Sequence, residues 1–313
     1  MRIIDSAPYK LREIKAYISL FLLLSSLVLT SCGKNPNIDV LAATPTSTAT
    51  LNLSTSTPMI APTIEVTNAI TTTESPKARI IEYRFAEMNK DDVLALFTQE
   101  SCPDQGCHNN EYQTYSTDGR NVEVIKDGMA IVAKANGKQV ESARLLLNEA
   151  IDFDKPGSLE IVAKFPQTDN SWSALWLVPV GYASIPDDKW KEIYQEIDIA
   201  EVVGLEGQIV FSSFHNHESM KVGKGPAFEG RYNGAVFNDF ITYQLSWSGT
   251  EMIITIDNKV ILRAPNPKGK FSVIMNQAVG GDWGTWEGAH PVVVSDYSAG
   301  SRFVIRSLKV GYN

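Results

Sequence analysis

From residue 78 onward the chain never sustains a long helical stripe. It is a succession of short apolar runs cut by turn residues, and this limits the fold more than any other feature. Val122-Glu123-Val124-Ile125 leads through Lys126-Asp127-Gly128 into Met129-Ala130-Ile131-Val132-Ala133. An Asp-Gly step between two such runs is a hairpin signal, because both residues tolerate the left-handed backbone of a tight turn. Leu159 to Phe165 alternates apolar and polar, as do Tyr243 to Trp247 and Ile253 to Ile256, the last meeting the turn pair Asp257-Asn258. Phe303 to Val310 closes the chain with another strand, and the one helix expected is Lys90 to Gln99, with acids in its first turn. Many short strands with regular turns predict an all-β fold, a sandwich of two antiparallel sheets that takes up 78–313 as a single domain.

The first 77 residues read differently. Lys10, Arg12 and Lys15 precede the apolar run that begins at Ala16 and continues to Leu29. A basic segment before a short apolar one predicts a secretory signal over 1–31; the run is short and rich in Ser for a membrane span. It ends in Leu29-Thr30-Ser31-Cys32-Gly33, which resembles the bacterial lipobox, with Cys32 as the lipidated residue. The competing reading is an ordinary cleaved signal with a chance cysteine. Residues 32–77, rich in Thr, Ser, Pro and Ala, bury too little apolar surface to offset their ordering entropy and read as a disordered tether. The expectation is an exported protein, lipid-anchored to the cell envelope.

The formal net charge of −8 carries no electrostatic footprint for nucleic acid and argues against a sulfated polysaccharide. If Cys32 is lipidated, Cys102 and Cys107 remain, and an exported setting allows a disulfide across their short turn. Zinc would need further ligands, and only His108 is near.

The most informative segment is Glu196-Ile197-Asp198-Ile199-Ala200-Glu201. Alternation puts Glu196 and Asp198 on one face of a strand and the isoleucines on the other. Plain alternation would place Glu201 with the isoleucines; one extra residue, a β-bulge around Ile199-Ala200, returns it to the acidic face. The outer α-carbons would then stand roughly 13 Å apart, four pleat steps of about 3.3 Å. Inward-leaning side chains could close their carboxyls to about 5–6 Å, the spacing of a retaining glycosidase. Taken alone, these acids also fit a solvated acidic edge strand, and an oxygen-rich cluster also suits calcium.

The segment resembles the bulged Glu-x-Asp-x-x-Glu signature of glycoside hydrolase family 16, and other landmarks follow in that family's order. Asn109 to Tyr115 is similar to the Asn-Asn-Glu-x-Gln-Tyr-Tyr run of laminarinase-type members, and Trp172 to Pro179 to their Trp-Pro-Ala-Phe-Trp run. Met275-Asn276-Gln277-Ala278-Val279-Gly280-Gly281-Asp282-Trp283 resembles Leu-Asn-x-Ala-Val-Gly-Gly-Asn-Trp. The resemblance implies a concanavalin-like jelly roll with a concave cleft. It implies a retaining endo-acting hydrolase of β-glucan, β-1,3-linked, with Glu196 as nucleophile, Glu201 as acid/base and Asp198 assisting. It also implies a cleft lined by Trp190, Trp283, His215 and Asn276, with Asn110 and Glu111 at the rim. Trp172 and Trp176 stay open between core and cleft. The bulged form speaks against plain lichenases and xyloglucan transglycosylases.

The departures are specific. The family's Glu-Ala-Arg strand is read here as Glu160-Ile161-Val162, which leaves the cleft without an arginine; Gln195 stands for a glycine and Ile241 for a histidine. At the family's calcium position, Arg84 and Arg306 fall where ligands are expected, so no metal is expected there, and no cofactor. The partners expected are a polysaccharide and, through the lipid, a membrane, with the protein itself a monomer. The runner-up is a surface glucan-binding protein with a relict site on the same fold; agarose or carrageenan hydrolysis is the alternative within the enzyme class.

Overall fold

The computed structural model describes residues 79–101, 109–185, 189, 194–204, 209–221, 225–284 and 291–313; for Met220, Lys221, Trp283 and Gly284 it describes the backbone alone. The signal 1–31, the tether 32–77, Cys32, Cys102, Cys107, Trp190 and the Trp283 side chain therefore lie outside the described residues.

Eighteen strands are present among the described residues. In chain order they are β1 (Arg79–Arg84), β2 (Phe97–Gln99), β3 (Thr114–Tyr115), β4 (Val122–Ile125), β5 (Gly128–Asn136) and β6 (Gln139–Ser142). There follow β7 (Arg144–Leu147), β8 (Ile151–Asp152), β9 (Gly157–Lys164), β10 (Ser171–Pro179), β11 (Gln195–Val203) and β12 (Ile209–Asn216). The last six are β13 (Phe228–Asn233), β14 (Ile241–Trp247), β15 (Glu251–Ile256), β16 (Lys259–Pro265), β17 (Lys270–Val279) and β18 (Ser301–Tyr312). One sheet has the order β16-β15-β14-β9-β18-β5-β6-β3, with β1 on β18 and β4 on β5. The other has the order β13-β12-β11-β10-β17-β7-β2, with β8 on β17. The fold is the jelly-roll sandwich read from the sequence, antiparallel apart from the short parallel pair β3–β6.

The core between the sheets follows from period-two burial. Along β9 buried and half-buried residues alternate without a break. Leu159, Ile161 and Ala163 of β9 and Phe303, Ile305 and Leu308 of β18 join Leu175 and Leu177 of β10, Ile197 and Ile199 of β11 and Val273 and Met275 of β17 in one apolar cluster. Each such leucine or isoleucine contributes about 1.5–3 kcal/mol when buried. A one-residue slip of β11 would put Glu196 and Asp198 in place of Ile197 and Ile199, so its register is strongly specified.

Two local expectations need correction. The helix ends at Ala95, four residues before Gln99. Its start is as expected: Asn89 caps it, accepting from the Asp92 amide at 2.9 Å, with Asp91 and Asp92 in the first turn. Phe97 then buries against Phe85 at 6.2 Å between ring centroids and pairs with Leu147, so tertiary contact converts the end of the run into β2. In the first hairpin the two turn residues are Lys126 and Asp127, and Gly128 already pairs with Ile125. The second turn is as read: Asp257 and Asn258 both have positive φ, 49° and 62°, joining β15 to β16.

Near the first strand, Arg84 donates to Glu82 at 2.8 Å and lies 3.8 Å from Glu87, so both of these acids face its guanidinium. Arg306 is the extra residue of a bulge in β18, and its guanidinium sits 3.6 Å over the Phe240 ring.

Candidate active site

The bulge in β11 is the device that builds the site. Asp198 pairs with Ser213 and Glu201 with Phe211, three steps on β11 against two on β12. Toward β10 the same slip appears: Leu175 pairs with Ala200 and Trp176 with Asp198. Ile199 and Ala200 both turn to the core, together with Ile197 and Val202. Glu196, Asp198 and Glu201 are left on the opposite face, lining one cleft with Ala174, Trp172 and Trp176 of β10 and His215 of β12.

The three carboxyls differ in their partners. Asp198, only 3% exposed, accepts from the Ser213 hydroxyl and lies 3.3 Å from His215 Nε2. Glu196 accepts from the Tyr194 hydroxyl and is 4.0 Å from His215 Nε2. Glu201 accepts from the Trp172 indole at 3.2 Å. Burial, and then the Asp198 charge, push both glutamates above the usual carboxylate range. Three groups oppose the rise at Glu196, namely His215, the Tyr194 hydroxyl and Arg144. At Glu201 the Trp172 hydrogen bond opposes it, while Glu196 and Glu229 add to it. Both carboxyls therefore hold their protons more firmly than an exposed glutamate, and they differ in the groups that face them: a phenol and an imidazole at Glu196, an indole at Glu201. Burial lowers His215, but its hydrogen bond to Asp198 and the charges of Asp198, Glu196 and Glu229 outweigh this and hold it above its ordinary value.

A second group supports the cleft from the other side. Trp176 donates its indole N–H to Asn276 Oδ1 at 2.8 Å, and Asn276 donates to the Tyr115 hydroxyl at 3.0 Å. Tyr115 in turn donates to Glu111 at 3.1 Å, where Gln113 also donates at 2.6 Å. Glu111 is therefore a buried member of the cleft wall, 8% exposed, and not the rim residue expected. Burial raises its carboxyl, opposed by Gln113, Tyr115 and Arg144. The Asn110 expectation also shifts by one residue. Asn109 lines the cleft, while Asn110 is exposed, left-handed at φ 55°, and donates to Asp282 at 2.9 Å. The loop is pinned by backbone bonds from Tyr112 to Val279 and from Asp282 to Asn109, both 2.8 Å. At Gly281, φ is 81° and a side chain would meet the Asn109 carbonyl at 2.9 Å, which explains a glycine there.

Trp172 and Trp176, left open by the sequence, both line the cleft, as do His215 and Asn276. The missing arginine is present after all. Glu160-Ile161-Val162 belongs to β9, in the sheet without the cleft, where Glu160 pairs with Gln244 and Lys309. Arg144, from β7, enters the cleft instead. Its guanidinium stacks 4.7 Å over the Trp176 ring, pairs with Glu100 at 2.7 Å and donates to Tyr182 at 2.8 Å. Sequence reasoning missed Arg144, Tyr194 and Ser213. Alternation offered a signal for two of them: Tyr194 is two residues before Glu196, and Ser213 two before His215.

Among the described residues, one set of ligand-type side chains converges closely enough for a cation: Glu196, Asp198 and His215, with atoms within 4.8 Å of one another. Their oxygens already meet the Tyr194 and Ser213 hydroxyls and the imidazole, a set suited to proton and charge control.

The model of the glycosyl hydrolases family 16 matches residues 109–299, more than half of the chain and all of the cleft described above. The chain belongs to this family. A beta-glucanase of Rhodothermus marinus is 27% identical over 212 residues, which are 59% of this chain and 70% of that protein. Among solved structures, the laminarinase from Rhodothermus marinus aligns with a TM-score of 0.60 at 25% identity, covering 74% of this chain and 96% of that one. The laminarinase from Flavobacterium sp. UMI-01 aligns with a TM-score of 0.59 at 24% identity over 74% of this chain and 99% of that one, a likeness of fold. As a family 16 member the chain is a glycoside hydrolase by class.

Proposed function

We propose that this chain is a retaining, endo-acting hydrolase of β-glucan, acting on β-1,3-linked chains. The observation that carries the reading is the unequal surroundings of Glu196 and Glu201 on one strand. Glu196, facing a histidine, a phenol and an arginine, is the nucleophile that attacks the anomeric carbon. Glu201, raised by burial and by the charges of Asp198, Glu196 and Glu229, is the acid that protonates the departing oxygen, then the base that activates water. Asp198 stands between them on the same face, accepting from Ser213 and lying beside His215. Trp172 and Trp176 offer aromatic surface to sugar rings. The names of the similar proteins, a beta-glucanase and laminarinases, favour β-glucan over agarose or carrageenan. A relict glucan-binding site would have no need of two glutamates held on one cleft face with separate hydrogen-bond donors.

The test is digestion of laminarin, mixed-linkage glucan, agarose and carrageenan, with products resolved by size and by proton NMR. Laminarin should yield oligosaccharides whose first-formed reducing end is the β-anomer. An initial α-anomer, or binding without cleavage of any of the four, overturns the reading.

We also propose that the enzyme is exported and held at the cell envelope by lipid on Cys32, with 32–77 as its tether. The run Leu29-Thr30-Ser31-Cys32 supports this. Cys32→Ser should release the protein from the membrane fraction or block its processing; a processed protein still retained on membranes refutes it.

A further inference from the structure

Tyr194 enters the assignment above only as a phenol facing Glu196, with no role of its own, yet it touches the attacking group. It stands just before β11, two residues ahead of Glu196, and its buried side chain reaches the Glu196 carboxylate. The tyrosine is 7% exposed, and its hydroxyl donates to Oε2 of Glu196, while Oε1 is the oxygen 4.0 Å from His215. The two carboxylate oxygens thus differ: one accepts a hydrogen bond from a neutral donor, and the other faces an imidazole beyond hydrogen-bond distance. Other groups acting on Glu196 are Asp198 on its own strand, Arg144 from β7 and Glu201 beyond the bulge. Glu229 on β13 acts on His215 and Glu201.

We propose that Tyr194 is a positioning residue for the nucleophile: its hydroxyl fixes the rotation of the Glu196 carboxylate and stabilises it in the ionised form. The inference rests on Glu196 being the nucleophile. Tyr194 transfers no proton. As the bond from a Glu196 oxygen to the anomeric carbon forms and the leaving oxygen departs with the proton of Glu201, the phenol keeps its hydrogen and its bond weakens. When water displaces the carboxylate, the returning charge regains the full hydrogen bond. Burial and the charges of Glu196 and Asp198 push the Tyr194 phenol far above its ordinary value, so it remains a donor throughout.

The sign is definite. A donor to the charged form lowers the pH at which Glu196 ionises, so its removal raises it. Tyr194→Phe keeps the ring and removes the hydroxyl. On p-nitrophenyl β-laminaribioside the acidic limb of the kcat/KM profile should move up by about one pH unit, the size expected for one hydrogen bond to a charged group. Below that limb, activity should fall about tenfold, with the melting temperature little changed. The basic limb, set by Glu201, should move less. A full-length enzyme carrying 3-fluorotyrosine at 194 has a stronger donor in the same volume, and its acidic limb should move down; it also carries the test if the Phe variant does not fold. Superimposable acidic limbs overturn the proposal. Labelling with a 2-deoxy-2-fluoro laminaribioside separates the two readings. Label on Glu196 with unmoved limbs sinks the role of Tyr194 alone, and label on another residue sinks the nucleophile assignment beneath it.

Discussion

Glu196→Ala is expected to lower kcat on laminarin by at least about 10⁴-fold, about 5.5 kcal/mol of transition-state stabilisation, with laminarin binding retained. The loss is large because no other carboxylate can replace the missing nucleophile. Asp198 is held by Ser213 and His215, and Glu201 stands beyond the bulge. The vacated space lies between the Tyr194 hydroxyl and the His215 imidazole, both able to donate to a small anion. Added azide should therefore restore turnover of an activated aryl β-glycoside in a single displacement, and the product should be the α-glycosyl azide. A β-azide, or an unchanged kcat, removes Glu196 from the nucleophile's role.

Glu201→Ala should behave differently, and the contrast separates the two roles. Loss of the acid should cost about 10²–10⁴-fold on laminarin, whose leaving oxygen needs a proton, and far less on the first step with a nitrophenyl leaving group. Azide should again accelerate turnover, now by attacking the glycosyl-enzyme on Glu196, so the product is the β-glycosyl azide. Equal losses on both substrates would sink the assignment. The isosteric Glu201→Gln gives a second readout. The folded state raises Glu201 above the ordinary value of 4.5, so above that pH the folded chain holds a proton that the unfolded chain has released. Stability contributed by this group is full below pH 4.5 and is lost as pH rises toward the folded value. Gln removes the penalty and can still accept from Trp172. Glu201→Gln should therefore melt about 2–8 °C above the parent near pH 7, and no higher than the parent near pH 4. A difference independent of pH would mean that ionisation of Glu201 costs the fold nothing. Such a cost is the ordinary signature of an active site, where function opposes stability.

Much of this protein is local in origin and therefore legible in the chain. The alternation of Glu196 and Asp198 against Ile197 and Ile199 is set by the two-residue period of a strand, and burial of the isoleucines pins it. The bulge follows from the same logic, since three acids share one face only if one extra residue is inserted. The turn at Asp257-Asn258 was readable because these residues tolerate positive φ. Strand periodicity says which face a side chain takes, but not which strand lies beside it. That is why Arg144 was missed. Its place in the cleft depends on β7 pairing with β17, more than a hundred residues away, and its anchors Glu100 and Tyr182 come from separate segments. Glu111 was misplaced at the rim for the same reason, because its burial depends on Gly280 and Tyr115 closing around it. The helix from Lys90 ends at Ala95 because Phe97 finds an aromatic partner and a strand edge that only the folded chain supplies. Sequence by itself determined the strand, its face and its three acids. The tertiary structure alone decided which charges and hydroxyls meet each acid, because groups distant in the chain become electrostatic neighbours only when the sheets pack.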